Sequence, residues 1–234
     1  MNAIPRRERL IVALDVPTAA EAHALVERVG DAAVFYKVGL ELFTAGGYFE
    51  LIEWLSGRGC KVFADLKLYD IPETVRRAVA NVRSCGAHFL TVHAHRSILE
   101  AAVAEKGELG ILAVTVLTSF DARDLADMGS NLSVEDLVLA RARAAADAGC
   151  NGVIASGHEA AKLRATFGDR LRVVTPGIRP AGTAVGDQKR VVDVAQAFAN
   201  GADYIVVGRP VRDATDPRAA AAAIQATIAG AFPA

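Results

Sequence analysis

Five short apolar segments of this chain each follow a glycine: "GDAAVFYKV", "GCKVFADL", "GAHFLTVH", "GCNGVIAS" and "GADYIVVG". The apolar runs are rich in Val, Ile and Phe, which is typical of strands that are buried on both faces. A glycine that follows a helix can adopt the left-handed conformation that ends the helix. The pattern therefore predicts a repeated order of helix, glycine and buried strand.

The segments between these runs have the spacing of amphipathic helices, as in "AEAHALVERV" and "VEDLVLARARAAADA". Three of the predicted helix starts resemble capping boxes: Thr18 with Glu21, Ser133 with Asp136, and Ser156 with Glu159. A fourth is Asp216 before Pro217, an N-cap residue followed by a proline in the first helical turn. Strands and helices are thus predicted to alternate along the chain.

This alternation predicts eight strands and an α/β fold. Eight strand–helix units in 234 residues match a closed (β/α)8 TIM barrel, predicted here as a single domain over residues 1–234. An open doubly wound sheet is the alternative, although no GxGxxG motif follows the first strand. We expect the second helix to be interrupted at Gly46-Gly47. The predicted strands are Leu10–Leu14, Val34–Val38, Lys61–Leu66, Phe89–His93, Gly110–Val116, Gly152–Ala155, Arg172–Thr175 and Tyr204–Val207.

Composition excludes several classes of function. Hydrophobic residues make up 52% of the chain and the net charge is −1, without the basic stripe that a strongly electrostatic nucleic-acid binder needs. The three cysteines form no CxxC pair, which favours buried thiols in a reducing compartment. The first apolar run is interrupted at Asp15, and no run approaches the length of a membrane span. We expect a cytoplasmic protein without a signal peptide.

Charged residues stand where the first three strands are predicted to end. Asp15 follows the first strand, Lys37 lies near the end of the second, and Asp65 and Lys67 lie two positions apart in the third. Barrel enzymes carry their active sites at the carboxyl ends of the strands. Alternate strand residues share a face, so Asp65 and Lys67 should meet. Interleaved opposite charges are expected to keep Lys67 protonated near neutral pH.

The last two units resemble a phosphate site, which in such barrels often follows strands seven and eight. Gly208 lets the backbone approach an anion closely, and Arg209 can bind phosphate through two parallel hydrogen bonds. Arg179 and Gln188 lie in the long segment "GIRPAGTAVGDQKR", whose small residues are typical of a lid.

The fourth strand ends in "HAH", with His93 and His95 on the same face if the strand continues. Such a pair could bind a metal, but no further His or Cys cluster is present to complete the site. We therefore predict no metal site.

These motifs together resemble the orotidine 5'-phosphate decarboxylase family, in its short bacterial type. The specific signature is "DLKLYDIPET", and "VLTS", "PGIRP", the Gln188 segment and "VVGRP" follow in the family's order, from Asp15 to Arg209. The resemblance implies conversion of orotidine 5'-monophosphate (OMP) to uridine 5'-monophosphate (UMP) and CO2, the last step of de novo UMP synthesis. It implies no metal and no cofactor.

The resemblance also implies roles for individual residues. Lys67 would protonate C6 of the pyrimidine, with Asp65, Lys37 and Asp70 completing the charged array. Asp70 would reach in from the partner subunit of a homodimer, accompanied by Ile71 and Thr74. The implied substrate-binding residues are Asp15, Lys37, Asp65, Leu66, Lys67, Leu68, Tyr69, Asp70, Ile71, Pro72, Glu73, Thr74, Thr118, Arg179, Gln188, Gly208 and Arg209.

Two positions depart from the commoner bacterial pattern of the family: Tyr69 stands where His is usual, and Glu73 where Asn is usual. Neither has a catalytic role in the resemblance, so they are expected to change packing at the subunit interface.

Two other functions are compatible with parts of the sequence. Mg2+-dependent sugar-phosphate lyases and decarboxylases of the same superfamily share the Asp-x-Lys-x-x-Asp motif. The continuation "IPET" and the lysine of the second strand favour the pyrimidine enzyme. A non-catalytic nucleotide-binding barrel is the other alternative. It would be expected to lose one of the charged residues Asp65, Lys67 and Asp70, which are all present here.

Overall fold

The eight predicted strands form a closed barrel. In the computed structural model, which describes residues 4–180 and 191–232, all neighbouring strands are parallel and follow the chain order, with the eighth pairing with the first. The (β/α)8 prediction is therefore confirmed. The strands are β1 (Leu10–Ala13), β2 (Phe35–Gly39), β3 (Lys61–Leu68), β4 (Phe89–His93), β5 (Gly110–Val114), β6 (Gly152–Ile154), β7 (Arg172–Thr175) and β8 (Tyr204–Val207).

Helices follow the strands around the outside of the barrel. The second predicted helix is interrupted as expected, because Gly46 and Gly47 have φ angles of 88° and 73° that a helix cannot contain. The helices in the described residues are α1 (Ala19–Val29), α2 (Leu40–Ala45), α3 (Tyr48–Gly57), α4 (Pro72–Ser84), α5 (Arg96–Glu105), α6 (Ala122–Asp127), α7 (Val134–Ala148), α8 (Ala160–Phe167), α9 (Val194–Ala199), α10 (Arg209–Arg212) and α11 (Pro217–Ala231). In the part of the chain that is described, no helix is long and apolar enough to cross a membrane.

Local signals for helix ends are mostly confirmed. The five glycines that precede the apolar runs all have positive φ angles, between 59° and 94°: Gly30, Gly59, Gly86, Gly149 and Gly201. The side chains of the N-cap residues of α1, α7 and α11 accept hydrogen bonds from the first helical turn, as predicted: Thr18, Ser133 and Asp216.

The capping box predicted at Ser156 is wrong. Helix α8 begins at Ala160, with Glu159 as its N-cap residue. The buried Glu159 carboxylate instead accepts hydrogen bonds from the backbone N–H and the hydroxyl of Ser156. The same two residues thus close a turn before the helix, because the carboxylate satisfies the amide and the hydroxyl of Ser156.

The barrel has two apolar layers, which follow from the alternation of side chains along each strand. In β1, for example, Ile11 and Ala13 point into the barrel, whereas Leu10 and Val12 pack against the outer helices. The inner layer fills the barrel with aromatic and branched side chains: Ile4, Ile11, Ala13, Phe35, Phe63, Phe89, Leu112, Val114, Ile154, Val174, Tyr204 and Val206. This packing closes the barrel below the carboxyl ends of the strands.

Strand β3 contains a bulge near its carboxyl end. Ala64 pairs with Leu90 of β4, but the next pair is Leu68 with Val92. Four steps along β3 therefore correspond to two steps along β4, which places Thr91 opposite the intervening residues Asp65 to Lys67. Bulges of this kind redirect side chains and are common next to active sites.

Candidate active site

A cavity of about 540 Å³ opens at the carboxyl ends of the strands. Its size lies within the range typical of small-molecule sites. Predicted site residues in its lining are Asp15, Lys37, Asp65, Lys67, Thr118, Arg179, Gly208 and Arg209. Inward-facing strand residues form its apolar floor, namely Ala13, Phe63, Val114, Ile154 and Val206. The fold thus brings the strand-end charges and the last two loops to one site.

Four of the lining residues form a continuous charged network. The Lys37 Nζ lies 2.7 Å from Asp15 Oδ1 and 3.5 Å from Asp65 Oδ2, while Lys67 Nζ lies 2.9 Å from the same Asp65 oxygen. The second Asp65 oxygen accepts a hydrogen bond from the Thr91 hydroxyl at 2.9 Å. Asp65 and Lys67 therefore meet as predicted: Phe63, Asp65 and Lys67 line the cavity, whereas Ala64 and Leu66 between them pack in the outer layer.

Burial and ion pairing act against each other in this network. Burial alone would raise the pKa of Asp65, but the ammonium groups of Lys37 and Lys67 hold the pKa below its ordinary value. Burial would likewise lower the pKa of Lys37, but the Asp65 and Asp15 carboxylates raise the pKa above its ordinary value. Both groups are therefore ionised at neutral pH, and each stabilises the charged form of the other.

The sequence did not single out some residues that line the cavity. A Cβ atom at Gly39 would lie 3.0 Å from Lys37 Nζ and 3.4 Å from Asp15 Oδ1, so the missing side chain leaves room for this ion pair. Leu40 follows it in the lining. Arg212 donates a hydrogen bond of 2.6 Å to the Asp15 carbonyl. The available signals were the glycine two residues after Lys37 and a second arginine one turn after Arg209.

Three of the four residues predicted to bind phosphate line the cavity: Arg179, Gly208 and Arg209. Arg209 is the first residue of α10, and Gly208 precedes it directly. The Arg179 backbone N–H bonds to the Val192 carbonyl at 3.0 Å, which joins the two ends of the segment that follows β7. Gln188 lies outside the described residues. The cavity is thus lined by two lysines and two carboxylates as well as by arginines.

The stretch from Leu66 to Thr74, apart from Lys67, does not line this cavity of a single chain. Asp70 is exposed and its carboxylate accepts a hydrogen bond from the Ile71 N–H at 2.6 Å. Tyr69 and Ile71 on either side of it are 65% and 67% exposed. Glu73 forms ion pairs with Arg76 and Arg77 of its own helix. Exposed apolar side chains on both sides of an acid are typical of a surface that another chain covers.

His93 and His95 contact the ring of Tyr69, with ring centroids 5.2 and 5.0 Å apart. Burial lowers the pKa of both imidazoles, and the nearby Arg141 guanidinium lowers the pKa further. Within residues 4–180 and 191–232, no three His, Cys, Asp or Glu side chains are grouped so that they could hold a metal ion.

Comparisons with known proteins agree with the resemblance that the sequence motifs show. The sequence model that describes the orotidine 5'-phosphate decarboxylase / HUMPS family matches residues 8–224 of this chain. A protein of Methylococcus capsulatus named orotidine 5'-phosphate decarboxylase is 57% identical over 230 residues, which cover 98% of this chain and 95% of the relative. A Rhodopseudomonas palustris protein of the same name is 56% identical over 230 residues and covers 97% of both chains.

Solved structures give the same result. The crystal structure of orotidine 5'-phosphate decarboxylase from Lactobacillus acidophilus superimposes with a TM-score of 0.85 at 35% identity, over 94% of this chain and 99% of that one. The orotidine 5'-phosphate decarboxylase of Pyrococcus horikoshii superimposes with a TM-score of 0.75 at 29% identity. With the family model spanning most of its length, the chain belongs to the orotidine 5'-phosphate decarboxylase / HUMPS family.

Proposed function

We propose that this protein decarboxylates OMP to UMP and CO2, the last step of de novo UMP synthesis, with Lys67 as the residue that protonates C6. The observation that carries the proposal is the Lys67 ammonium, held 2.9 Å from Asp65 at an open cavity. Relatives that are 51–57% identical over nearly the whole chain are named for this activity. Neither a metal nor a cofactor takes part in the proposed reaction, which occurs in the cytoplasm.

The charged network provides the stabilisation that this reaction needs. When CO2 leaves C6, the bonding electrons stay on a ring carbon, and this negative charge needs a fixed positive partner. The Lys67 ammonium lines the cavity and can stabilise the charge before it donates a proton to C6. Asp65 faces the substrate carboxylate and holds both lysines in place. Lys37 keeps Asp65 ionised, since it lies 3.5 Å from this carboxylate.

The rest of the cavity binds the nucleotide away from the bond that breaks. Asp15 and Lys37 hold the ribose hydroxyls, and Thr118 lies beside the pyrimidine. The phosphate is bound by Arg179, Gln188, Gly208 and Arg209. Binding energy from this remote group can position the reacting carbon, so it contributes to the rate as well as to affinity.

The active protein is proposed to be a homodimer in which each site uses residues of both chains. In its own chain Asp70 is exposed and outside the cavity, so it is free to reach a partner's site. Ile71 and Thr74 accompany it, and the other substrate-binding predictions in this stretch are Leu66, Leu68, Tyr69, Pro72 and Glu73. Covering the exposed Tyr69 and Ile71 side chains would stabilise such a dimer.

The test is conversion of OMP by the purified protein in the presence of EDTA, followed by the loss of ultraviolet absorbance of the substrate. We expect turnover by the unaltered chain and a loss of about 1,000-fold or more in kcat for Lys67→Ala, because a preorganised charge is removed. The control is Lys162→Ala. This lysine is exposed, pairs with Glu135 and does not line the cavity.

Three results would contradict the proposal. Substantial activity of Lys67→Ala would exclude this lysine as the proton donor. A reaction that stops in EDTA and returns with Mg2+ would favour a metal-dependent enzyme of the same superfamily. UMP binding without any conversion of OMP would identify a non-catalytic nucleotide-binding barrel.

A further inference from the structure

The backbone at Lys67 has an unusual conformation. Its φ angle is 49°, and no other non-glycine residue in the described part of the chain has a positive φ. A side chain with a Cβ atom is disfavoured in this left-handed region, so surrounding contacts must hold the residue there. Lys67 is also the residue that the proposed function identifies as the proton donor. The contacts that hold the backbone from Asp65 to Lys67, named here the left-handed turn, therefore also orient the Lys67 side chain.

One side chain contacts both ends of the turn. The Lys67 N–H donates a hydrogen bond to Thr91 Oγ1 at 2.9 Å, and the Thr91 hydroxyl donates one to Asp65 Oδ1 at the same distance. Since the other Asp65 oxygen accepts a bond from Lys67 Nζ at 2.9 Å, the contacts form a closed ring. The ring joins the backbone of Lys67 to its own ammonium group through Thr91 and Asp65.

Thr91 has no contact with the cavity itself. It is fully buried in β4 between the apolar residues Leu90 and Val92, and it does not line the site. It lies opposite the bulge of β3, where strand pairing passes from Ala64 to Leu68. A buried hydroxyl must find partners within the protein, and here both partners belong to the charged network.

We propose that Thr91 is a positioning residue for the decarboxylation, which fixes the left-handed turn at Lys67 and the orientation of the Asp65 carboxylate. This inference rests on the proposed catalytic role of Lys67. The physical reason is preorganisation: a lysine held by short bonds in the direction of the reacting carbon needs no rearrangement when charge develops. Without the hydroxyl, the Lys67 N–H and one Asp65 oxygen lose a buried partner, and the turn is free to relax.

The test compares Thr91→Ser with Thr91→Ala, two variants that both lack the γ-methyl group and differ only in the hydroxyl. We expect Thr91→Ser to stay within about threefold of the unaltered kcat and Thr91→Ala to lose about 100-fold, as expected for a misplaced reacting group. Thr91→Val, which has the shape of threonine, should behave like Thr91→Ala. The affinity for UMP should be similar in the serine and alanine variants, whereas the thermal midpoint should be lower in the alanine variant, which leaves two buried groups without a partner.

Equal kcat values in the serine and alanine variants would overturn the inference. So would an alanine variant that loses UMP affinity in proportion to kcat, because that result indicates general damage to the site. Lys67→Ala is measured in parallel. If it is inactive while Thr91→Ala matches Thr91→Ser, only the positioning role fails. If Lys67→Ala remains active, the proposed role of Lys67 fails, and the positioning role fails with it; if the unaltered protein does not convert OMP, the proposed function itself fails.

Discussion

The Lys37 ammonium is held between two carboxylates, those of Asp15 and Asp65, at distances of 2.7 and 3.5 Å. An arrangement of this kind leaves little space around the nitrogen, and a Cβ atom at Gly39 would lie 3.0 Å from it. The geometry of the network therefore depends on a residue that has no functional group of its own.

This dependence predicts the effect of Gly39→Ala. Gly39 has an extended backbone, with a φ of −109°, so alanine causes no backbone strain. Its Cβ atom would lie 3.0 Å from Lys37 Nζ and displace it. We expect kcat/KM for OMP to fall about tenfold or more, since small displacements of reacting groups have large effects on rate, with little change in thermal midpoint.

The matched control is Gly57→Ala, at the end of α3, where an added Cβ atom meets nothing within 4 Å. Steady-state kinetics of the two variants provide the comparison. An unchanged kcat/KM in Gly39→Ala would show that the site accommodates the extra methyl group.

At the scale of single residues, the sequence placed the strand-end charges correctly but did not predict their conformations. Asp15, Lys37, Asp65 and Lys67 were found because charges at the ends of buried strands are unusual. The left-handed turn at Lys67 and the hydrogen bonds of Thr91 to Lys67 and Asp65 depend on the pairing of β3 with β4, a long-range contact that no local pattern encodes. The signal that could have pointed to Thr91 was a threonine within the apolar run of β4.

Secondary-structure elements were predicted well because apolar strands and glycine helix ends are local signals. The observed bounds of β4, β7 and β8 equal the predicted ones, β2 is shifted by one residue, and the other strands differ by one or two residues at their carboxyl ends. The Ser156–Glu159 start failed because the same residue pair can close a turn as well as cap a helix. The bulge that extends β3 was not predicted, since it is determined by its partner strand.

His88 directly precedes β4, at the amino end of the barrel. Its titration is expected to make the free energy of unfolding depend on pH. Its ring packs against Phe35 and Phe89, and burial, with a smaller effect of Lys61, lowers its pKa to about 4. Above its ordinary value of about 6.5, both the folded and the unfolded chain carry a neutral imidazole. Between about 6.5 and about 4, only the unfolded chain binds the proton, so acidification destabilises the fold.

We therefore predict that the unfolding free energy contains a contribution from His88 that falls by up to about 1.4 kcal/mol per pH unit over this interval, an upper limit because the ring retains some contact with water. His88→Phe should lack this contribution in urea titrations between pH 4 and 7. His158→Gln, at an exposed position, is the control. Identical slopes in His88→Phe and the unaltered protein would contradict the assignment.

At the scale of the whole molecule, closure of the barrel explains why distant residues form one site. Pairing of β8 with β1 brings Gly208 and Arg209 next to Asp15, although almost the whole chain separates them in sequence. The sequence could predict this neighbourhood once eight strands were counted. The fold of a single chain does not bring Asp70 to this site, because Asp70 is exposed and outside the cavity.

If Lys67 of one chain and Asp70 of its partner act in the same site, as proposed, mixing two variants tests this shared site most directly. Lys67→Ala and Asp70→Ala are purified separately, assayed with OMP, then unfolded, mixed and refolded together. Each variant alone is predicted to be nearly inactive. In the mixture, half of the dimers contain one chain of each kind, and one of their two sites has both residues intact, so about a quarter of the unaltered activity should return.

Unaltered protein that passes through the same refolding sets the scale for this recovery. A mixture that stays as inactive as its two parents, while the refolded unaltered protein is active, would contradict the shared site. Substantial activity in either variant alone would contradict the role assigned to the residue that it lacks.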